Sequence, residues 1–292
     1  MTSGTGERAL VLGGGGSAGN AWLIGVLAGL GDAGLEVTDA DLIVGTSAGA
    51  TAAAQLAGAD PATLYAGILS ATPPQRPAAP PAARPAVDHL QRTNEIIAAS
   101  ADPADMRRRL GASALELDAA SDGTGSARWR AMVASRLPGT AWPQRRMLIA
   151  AVDARSGEPV LFDRDSGIDL VDAVAASTSS GAPYAIGDRR YIDGGYRRSS
   201  ENADLASGYA RVLVLSPLGG RTRAPLEWGM QLAVQAEELR AGGSSVETLL
   251  PDAASLAAFG ENMMDLARRA PAARAGFEQG RDAAERLTPF WA

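Results

Sequence analysis

The ten residues from Asp41 to Ala50 constrain the fold more than any other stretch. The apolar run Leu42 to Val44 predicts a buried strand, and the residues from Ala48 to Leu56 predict a helix. Between them lies a G-x-S-x-G sequence, Gly45-Thr46-Ser47-Ala48-Gly49. On a sharp strand-to-helix turn, its serine would expose a hydroxyl at a helix N-terminus, and the glycines would avoid collisions with the crossing elements. The stretch therefore predicts a nucleophile elbow, or more simply a glycine turn whose serine caps the helix.

A glycine-rich segment follows the first predicted strand. The apolar run Arg8 to Leu12 leads into Gly13 to Gly19, and apolar residues then recur at helical spacing until Leu30. Backbone amides in such a loop can bind an anion. The pattern Gly14-x-Gly16-x-x-Gly19 fits a dinucleotide site, whereas an oxyanion hole is the alternative. The second predicted strand ends in glycine and serine instead of the acidic residue that would bind a ribose, so we favour the oxyanion hole.

Composition excludes several kinds of chemistry. The 292 residues include no cysteine and no lysine, so all 27 basic residues are arginine. Thiolate, Schiff-base and Ser-Lys mechanisms are therefore excluded, and a single histidine argues against a zinc site. A net charge of −6 argues against nucleic acid as a partner.

The N-terminal region predicts no targeting or membrane-spanning segment. Residues Met1 to Arg8 are polar and lack the apolar core of a secretory signal. The longest apolar run in this region, Ala21 to Leu30, has about half of the ~20 residues that a membrane span needs. We therefore expect a cytoplasmic protein.

The remainder of the chain indicates one domain, residues 1–292, with a motif-bearing core at about 8–216. Pro73 to Pro85 holds six prolines and predicts an extended surface segment. Residues of about 86–137 show broken helical periodicity and predict a helical insertion, which we expect to form a mobile cap over the Ser47 pocket. Residues of about 217–292 predict a mostly helical C-terminal extension.

A serine nucleophile needs a proton acceptor, and the chain offers few. The single histidine, His89, follows the proline-rich segment in a polar, surface-like stretch. Asp193 ends a predicted strand and is followed by Gly194 and Gly195, a position where active-site residues of α/β proteins lie. The same sequence is also common in simple turns. We expect Asp193 to take the proton of Ser47 directly, in a dry pocket that raises its basicity.

Taken together, the three motifs resemble those of the patatin-like phospholipases, lipid acyl hydrolases with a Ser-Asp dyad. The glycine-rich loop, the elbow and the Asp-Gly-Gly sequence occur in the family's order over about two hundred residues. The resemblance implies an α/β fold, a three-layer α/β/α sandwich around a largely parallel sheet. The loop usually carries a basic residue just before its last glycine, and Ala18 stands there in this chain. The roles implied are Ser47 as nucleophile, Asp193 as base, the amides of Gly14, Gly15 and Gly16 as the oxyanion hole, Gly45 and Gly49 as the elbow glycines, and Gly194 and Gly195 as the turn after the base.

The resemblance implies hydrolysis of carboxylic esters of lipids through an acyl-enzyme on Ser47, without metal or cofactor. The substrate would be a lipid or another acyl ester, and transient contact with a membrane surface is compatible with it. Three alternatives stay open: an esterase of short non-lipid substrates, a dinucleotide-binding oxidoreductase, and a relative that keeps the fold without catalysis. The oligomeric state is not predicted.

Overall fold

A computed structural model describes residues 7–71 and 86–292 of the chain. The prediction of an extended segment from Pro73 to Pro85 falls outside these ranges. Within the described part, no helix is both long enough and apolar enough to cross a lipid bilayer.

The centre of the molecule is an eight-stranded mixed sheet in the order β5-β6-β3-β2-β1-β7-β8, with β4 also paired to β3. Five strands, β3, β2, β1, β7 and β8, run parallel, whereas β4 and β6 are antiparallel to β3 and β5 is antiparallel to β6. The strands are β1 (Arg8–Leu12), β2 (Leu42–Gly45), β3 (Arg146–Asp153), β4 (Pro159–Phe162), β5 (Tyr184–Ile186), β6 (Arg189–Asp193), β7 (Arg211–Leu215) and β8 (Ser245–Leu249).

Helices cover both faces of the sheet. In the described ranges they are α1 (Gly16–Asp32), α2 (Ala48–Leu56), α3 (Pro61–Ser70), α4 (Ala86–Ala98), α5 (Pro103–Ala119), α6 (Gly125–Ala134), α7 (Leu170–Ser177), α8 (Leu232–Ala241), α9 (Ala253–Phe259) and α10 (Arg269–Trp291).

Alternating side chains of β1 divide the core into two layers. Leu10 and Leu12 belong to one buried cluster, together with residues of α1, α2, α7 and α10. Ala9 and Val11 belong to a second cluster on the opposite face, which includes residues of α8. This is the two-residue period of a strand buried on both sides. The predicted three-layer α/β/α fold with a largely parallel sheet is confirmed.

Strands β2 and β6 are far apart in sequence, and they lie end to end along one edge of β3. Ile149 pairs with Gly45 of β2 on one side and with Phe162 of β4 on the other. Two residues later, Ala151 pairs with Asp193 of β6 on the first side and with Val160 of β4 on the other. Strands β2 and β6 therefore lie on the same edge of β3, and their ends face each other about 7 Å apart along it. This arrangement brings the turn after β2 to the turn after β6.

The regions around this core are helical, as their sequences indicate. The predicted insertion contains α4, α5 and α6, and the C-terminal region contains α8, α9 and α10 with strand β8 between them. Helix α5 packs against the sheet itself: Met106, Leu110 and Ala114 are buried in a cluster with residues of β3 and β6. The three-residue strand β5 was not predicted.

Candidate active site

Ser47 occupies the turn between β2 and α2 in a strained conformation. Its φ is +53°, a backbone angle that residues other than glycine rarely adopt. Both flanking glycines are needed, because a Cβ at Gly45 would lie 2.7 Å from the Cα of Ala50 and one at Gly49 would overlap the carbonyl oxygen of Leu12. The turn therefore holds the Ser47 hydroxyl at the N-terminus of α2, at the carboxyl edge of the parallel strands.

Asp193 ends β6 and lies within hydrogen-bonding distance of Ser47. Ser47 Oγ donates to Asp193 Oδ2 at 2.9 Å, and the Gly195 amide donates to Asp193 Oδ1 at 2.8 Å. Only 7% of the aspartate is exposed. Burial raises the pKa of the Asp193 carboxyl to about 6, although both hydrogen bonds and the charge of Arg223 oppose this rise. The structure thus brings a serine hydroxyl to a carboxylate of increased basicity.

His89 is not part of this pair. It lies on α4, close to the backbone of Ser180, and is half-buried instead of solvated as its sequence context suggested. Burial lowers the pKa of His89, and the charges of Arg223 and Arg92 lower it further, which favours the neutral imidazole. The acceptor of the Ser47 hydroxyl is Asp193.

The glycine loop lies directly beside Ser47. A Cβ at Gly14 would be 3.5 Å from the Ser47 Cβ. The Gly14 amide donates to the carbonyl oxygen of Ser200 at 2.8 Å, so it already has an acceptor. From the sequence, the Gly14 amide is expected to be a donor of the oxyanion hole, but in the structure this amide is not free to donate to an oxyanion. Within the described part of the chain, the amides of Gly15 and Gly16 have no such acceptor.

The first turn of α1 does not have the open geometry of a dinucleotide site. The Ala18 amide donates to the carbonyl oxygen of Met263 at 2.8 Å. A Cβ at Gly16 would lie 2.8 Å from the sulfur of Met264, so this segment covers the turn. A pyrophosphate bound to the helix N-terminus would need these amides and this space.

A cation reaches this turn from a distant part of the chain. Ala18, at the position where the family usually has a basic residue, is fully buried and carries no charge. Arg269, at the start of α10, donates through Nη1 to the Ser17 carbonyl at 3.2 Å and to Asn20 Oδ1 at 3.1 Å. The Asn20 amide in turn approaches the Ala48 carbonyl at 3.4 Å. A guanidinium is thus linked to the residue that follows Ser47.

Two further residues fix the elbow, and sequence reasoning did not find them. Ser177 Oγ accepts the amide hydrogen of Ser47 at 3.0 Å. Asn202 is fully buried and donates through Nδ2 to Thr46 Oγ1 at 3.0 Å and to the Gly194 carbonyl at 2.9 Å. Asn202 therefore ties the serine turn to the Asp-Gly-Gly turn. Asn202 has a φ of +53°, a conformation that asparagine adopts more readily than most residues. Nothing in the local sequence marks it for this role.

The groups available for chemistry are the hydroxyl, the carboxylate and the backbone amides. In residues 7–71 and 86–292, no three histidine, aspartate or glutamate side chains cluster closely enough to hold a metal ion.

The family model of the patatin-like phospholipases matches residues 10–206. Among solved structures, VipD from Legionella pneumophila aligns over 96% of this chain and 67% of its own, with 12% identity and a TM-score of 0.42. The type III effector ExoU aligns over 96% of this chain and 53% of its own, with 15% identity and a TM-score of 0.37.

ExoU of Pseudomonas aeruginosa in complex with SpcU aligns over 96% of this chain and 52% of that one, with 17% identity and a TM-score of 0.39. The chain thus spans about half the length of ExoU. No curated protein sequence matched. Because the family model covers more than half of the chain, the chain belongs to the patatin-like phospholipase family.

Proposed function

We propose that the protein is a serine hydrolase of lipid-type carboxylic esters that acts through an acyl-enzyme on Ser47. One observation carries this proposal: Ser47 Oγ donates to Asp193 Oδ2 at 2.9 Å, and burial raises the pKa of that carboxyl to about 6. A general base with a pKa near the working pH is deprotonated and still basic enough to accept a proton. Membership of a family of phospholipases supports a lipid ester as the substrate.

In the acylation step, Ser47 Oγ attacks the ester carbonyl carbon while its proton moves to Asp193 Oδ2. The carbonyl oxygen becomes an oxyanion, for which the amides of Gly15, Gly16 and Ala48 are the proposed donors. The tetrahedral intermediate collapses as the bond to the alcohol oxygen breaks. That oxygen takes the proton from Asp193, and the acyl group stays on Ser47.

In the deacylation step, water takes the place of the leaving alcohol. Asp193 accepts a proton from the water as it attacks the acyl carbon, and the same amides stabilise the second oxyanion. Collapse returns the proton from Asp193 to Ser47 Oγ and releases the carboxylic acid. The aspartate thus acts alternately as base and acid, with no histidine between it and the serine.

The test is a hydrolysis panel of p-nitrophenyl esters from acetate to palmitate, together with several phospholipids, on the wild type and Ser47→Ala. We expect hydrolysis of long acyl esters and phospholipids, and a loss of at least ~10³-fold in kcat/KM for Ser47→Ala with little change in thermal stability. Turnover of short soluble esters alone would favour the esterase alternative. Failure of a fluorophosphonate probe to label Ser47 would favour a non-catalytic relative.

A further inference from the structure

Glu201 is a buried carboxylate that the chemistry above does not use. It is fully buried, and no arginine in the described part of the chain forms an ion pair with it. Three serine hydroxyls surround it instead. Ser200 Oγ and Ser216 Oγ donate to its Oε1 at 2.6 and 2.7 Å, and Ser199 Oγ donates to its Oε2 at 2.8 Å.

Burying a carboxylate such as that of Glu201 is energetically unfavourable. Removing a carboxylate from water carries a penalty of several kcal/mol, roughly, which hydrogen bonds offset only in part. An apolar side chain of similar volume commonly gives equal or greater stability at such a position. Stability alone is therefore a poor explanation of Glu201, and its contacts suggest another.

The surroundings of Glu201 reach three successive residues of the glycine loop. Its own Cγ would be 3.4 Å from a Cβ at Gly13. Ser200, which it holds through the hydroxyl, accepts the Gly14 amide with its carbonyl oxygen at 2.8 Å. On the other side of the loop, Ser216 immediately precedes a proline that packs on the next glycine.

That proline, Pro217, closes the opposite side of the loop. A Cβ at Gly15 would lie 2.5 Å from the Pro217 Cβ, so the glycine and the proline ring are in close contact. The hydroxyl of Ser216 is fixed twice, because it donates to Glu201 Oε1 and accepts the Gly220 amide at 2.8 Å. The glycine loop is thus held between two segments that Glu201 joins.

We propose that Glu201 is a positioning residue, whose carboxylate locks Ser200 and Ser216 so that the glycine loop keeps its amides directed at the oxyanion that forms when Ser47 attacks the ester carbonyl. The inference rests on the proposed function, since it concerns the donors of that reaction. Donors that are fixed in advance stabilise an oxyanion without reorganisation, and a shift of about 1 Å can lower a rate ~10²-fold. Glu201 acts through the loop and touches no reacting atom.

The two substitutions Glu201→Ala and Glu201→Gln separate this role from general stability. Alanine removes all three hydrogen bonds to the serines, whereas the glutamine carbonyl can still accept from Ser200 and Ser216. We expect Glu201→Ala to lower kcat at least ~10-fold with KM within about twofold, because transition-state contacts are weakened more than substrate binding. Glu201→Gln should keep kcat within about threefold of the wild type.

Rates are normalised to the amount of Ser47 that a fluorophosphonate probe labels at completion, so that unfolded protein does not count. The matched control is Ser244→Ala, at a buried serine whose hydroxyl donates to the Tyr209 carbonyl at 2.6 Å, near the start of β8 and away from Ser47. It should lower thermal stability without changing kcat. If Glu201→Ala does not fold, Ser200→Ala removes the hydroxyl that links Glu201 to the acceptor of the Gly14 amide, and it should lower kcat in the same way.

A second readout does not depend on activity. Amide hydrogen exchange of the peptide containing Gly14 should accelerate in Glu201→Ala, more than peptides from β1 and β7 do. A normalised kcat equal to that of the wild type, or an unchanged exchange rate at Gly14, overturns the inference. If the wild type hydrolyses no ester while the loop still loosens in Glu201→Ala, the proposed function fails and the structural link from Glu201 to the loop is retained.

Discussion

At the scale of single residues, the site depends on how one carboxylate is placed. Asp193 is nearly inaccessible to water, and its two oxygens accept one hydrogen bond each, from Gly195 and Ser47. Desolvation disfavours its charged form and outweighs these bonds, which leaves the aspartate more basic than one in water. A direct Ser-Asp pair needs this increase because no imidazole lies between the two groups.

The first prediction separates a dyad from a triad. Asp193→Asn keeps the shape of the side chain and removes its basicity, so kcat/KM should fall at least ~10³-fold. His89→Ala should leave kcat/KM within about threefold, since Asp193 and not His89 accepts the Ser47 hydroxyl. In the wild type, kcat/KM should rise with pH through about 6, as Asp193 loses its proton. A folded but inactive His89→Ala enzyme would require a histidine-based mechanism.

The second prediction concerns stability, and its sign follows from the same pKa. The pKa of Asp193 is about 6 in the fold against an ordinary value of 3.8, so ionisation is harder in the folded protein. The stability linked to this group is present below pH 3.8 and is lost as pH rises through about 6. By pH 8 the loss is on the order of 3 kcal/mol.

Asp193→Asn carries no charge and should avoid that loss. We expect this variant to unfold at a higher temperature than the wild type at pH 8, and we expect the difference to shrink towards pH 4. Its amide oxygen can still accept the Gly195 amide, and its NH₂ group can donate to Ser47. Thermal unfolding of both proteins over this pH range is the measurement. A variant less stable than the wild type at pH 8 would show that the hydrogen bonds of the carboxylate matter more than its desolvation.

At the scale of elements, the glycines of two helices allow α10 to join the core. A Cβ at Gly25 or Gly29 of α1 would overlap the carbonyl oxygen of Ala273 or Phe277, and one at Gly280 of α10 would overlap that of Val26. The two helix backbones therefore touch along small residues spaced by four. The fully buried Trp22 and Trp291 lie in the same core cluster. The C-terminal helix is therefore packed into the core against α1.

A pair of substitutions on α1 tests this contact. Gly29→Ala should destabilise the protein by about 1–3 kcal/mol, because the helices must separate to admit the methyl group. Gly31→Ala, two residues later, has nothing within 4 Å of the new Cβ and should stabilise by up to about 1 kcal/mol through helix propensity. Urea denaturation of the two variants measures both effects. Equal changes in the same direction would contradict the packing argument.

The elements themselves were largely predictable, whereas their contacts were not. Strands β1 and β7 and helix α2 follow from short apolar runs and from the elbow sequence, because burial on both faces of a parallel sheet leaves a clear pattern. The strand β5 has only three residues, too few for a pattern. Glu201 belongs to a polar stretch that is typical of a surface loop, and neither its burial nor its hydrogen bond from Ser216 is visible in the local pattern.

For the active site, too, the sequence predicted the residues better than their contacts. The sequence identifies Ser47 and Asp193 as candidates because it offers so few other bases, and the structure places them 2.9 Å apart. That the Gly14 amide already donates to Ser200 depends on a loop almost two hundred residues away. Single-sequence patterns report local geometry and burial, and they do not report which distant carbonyl meets a given amide. The roles of both side chains stay predictions until the variants are measured.

At the scale of the whole molecule, the insertion is attached to the sheet unevenly. Helix α5 buries four residues, and a Cβ at its Gly111 would overlap the carbonyl oxygen of Ala154, just after β3. Among its described side chains, α4 buries only Thr93 and Ile97. Helix α6 also buries only one residue, Val133, but α4 is the helix whose His89 lies at the backbone of Ser180. The expected mobile cap is therefore better assigned to α4 than to the insertion as a unit, because local opening is easiest where few apolar groups are buried.

Amide hydrogen exchange in the native state tests whether α4 opens more easily than α5. We expect the amides of α5 to exchange almost as slowly as those of β2 and β7, since opening α5 would expose Met106 and Leu110 and separate a close backbone contact. The amides of α4 should exchange at least ~10-fold faster, and α2 provides an internal standard for a fully packed helix. Fluorophosphonate labelling of Ser47 should slow exchange in α4 more than in α5 if α4 closes over the bound group. If α4 and α5 exchange at the same rate, with and without the label, the insertion moves as one body and the assignment of the cap to α4 is wrong.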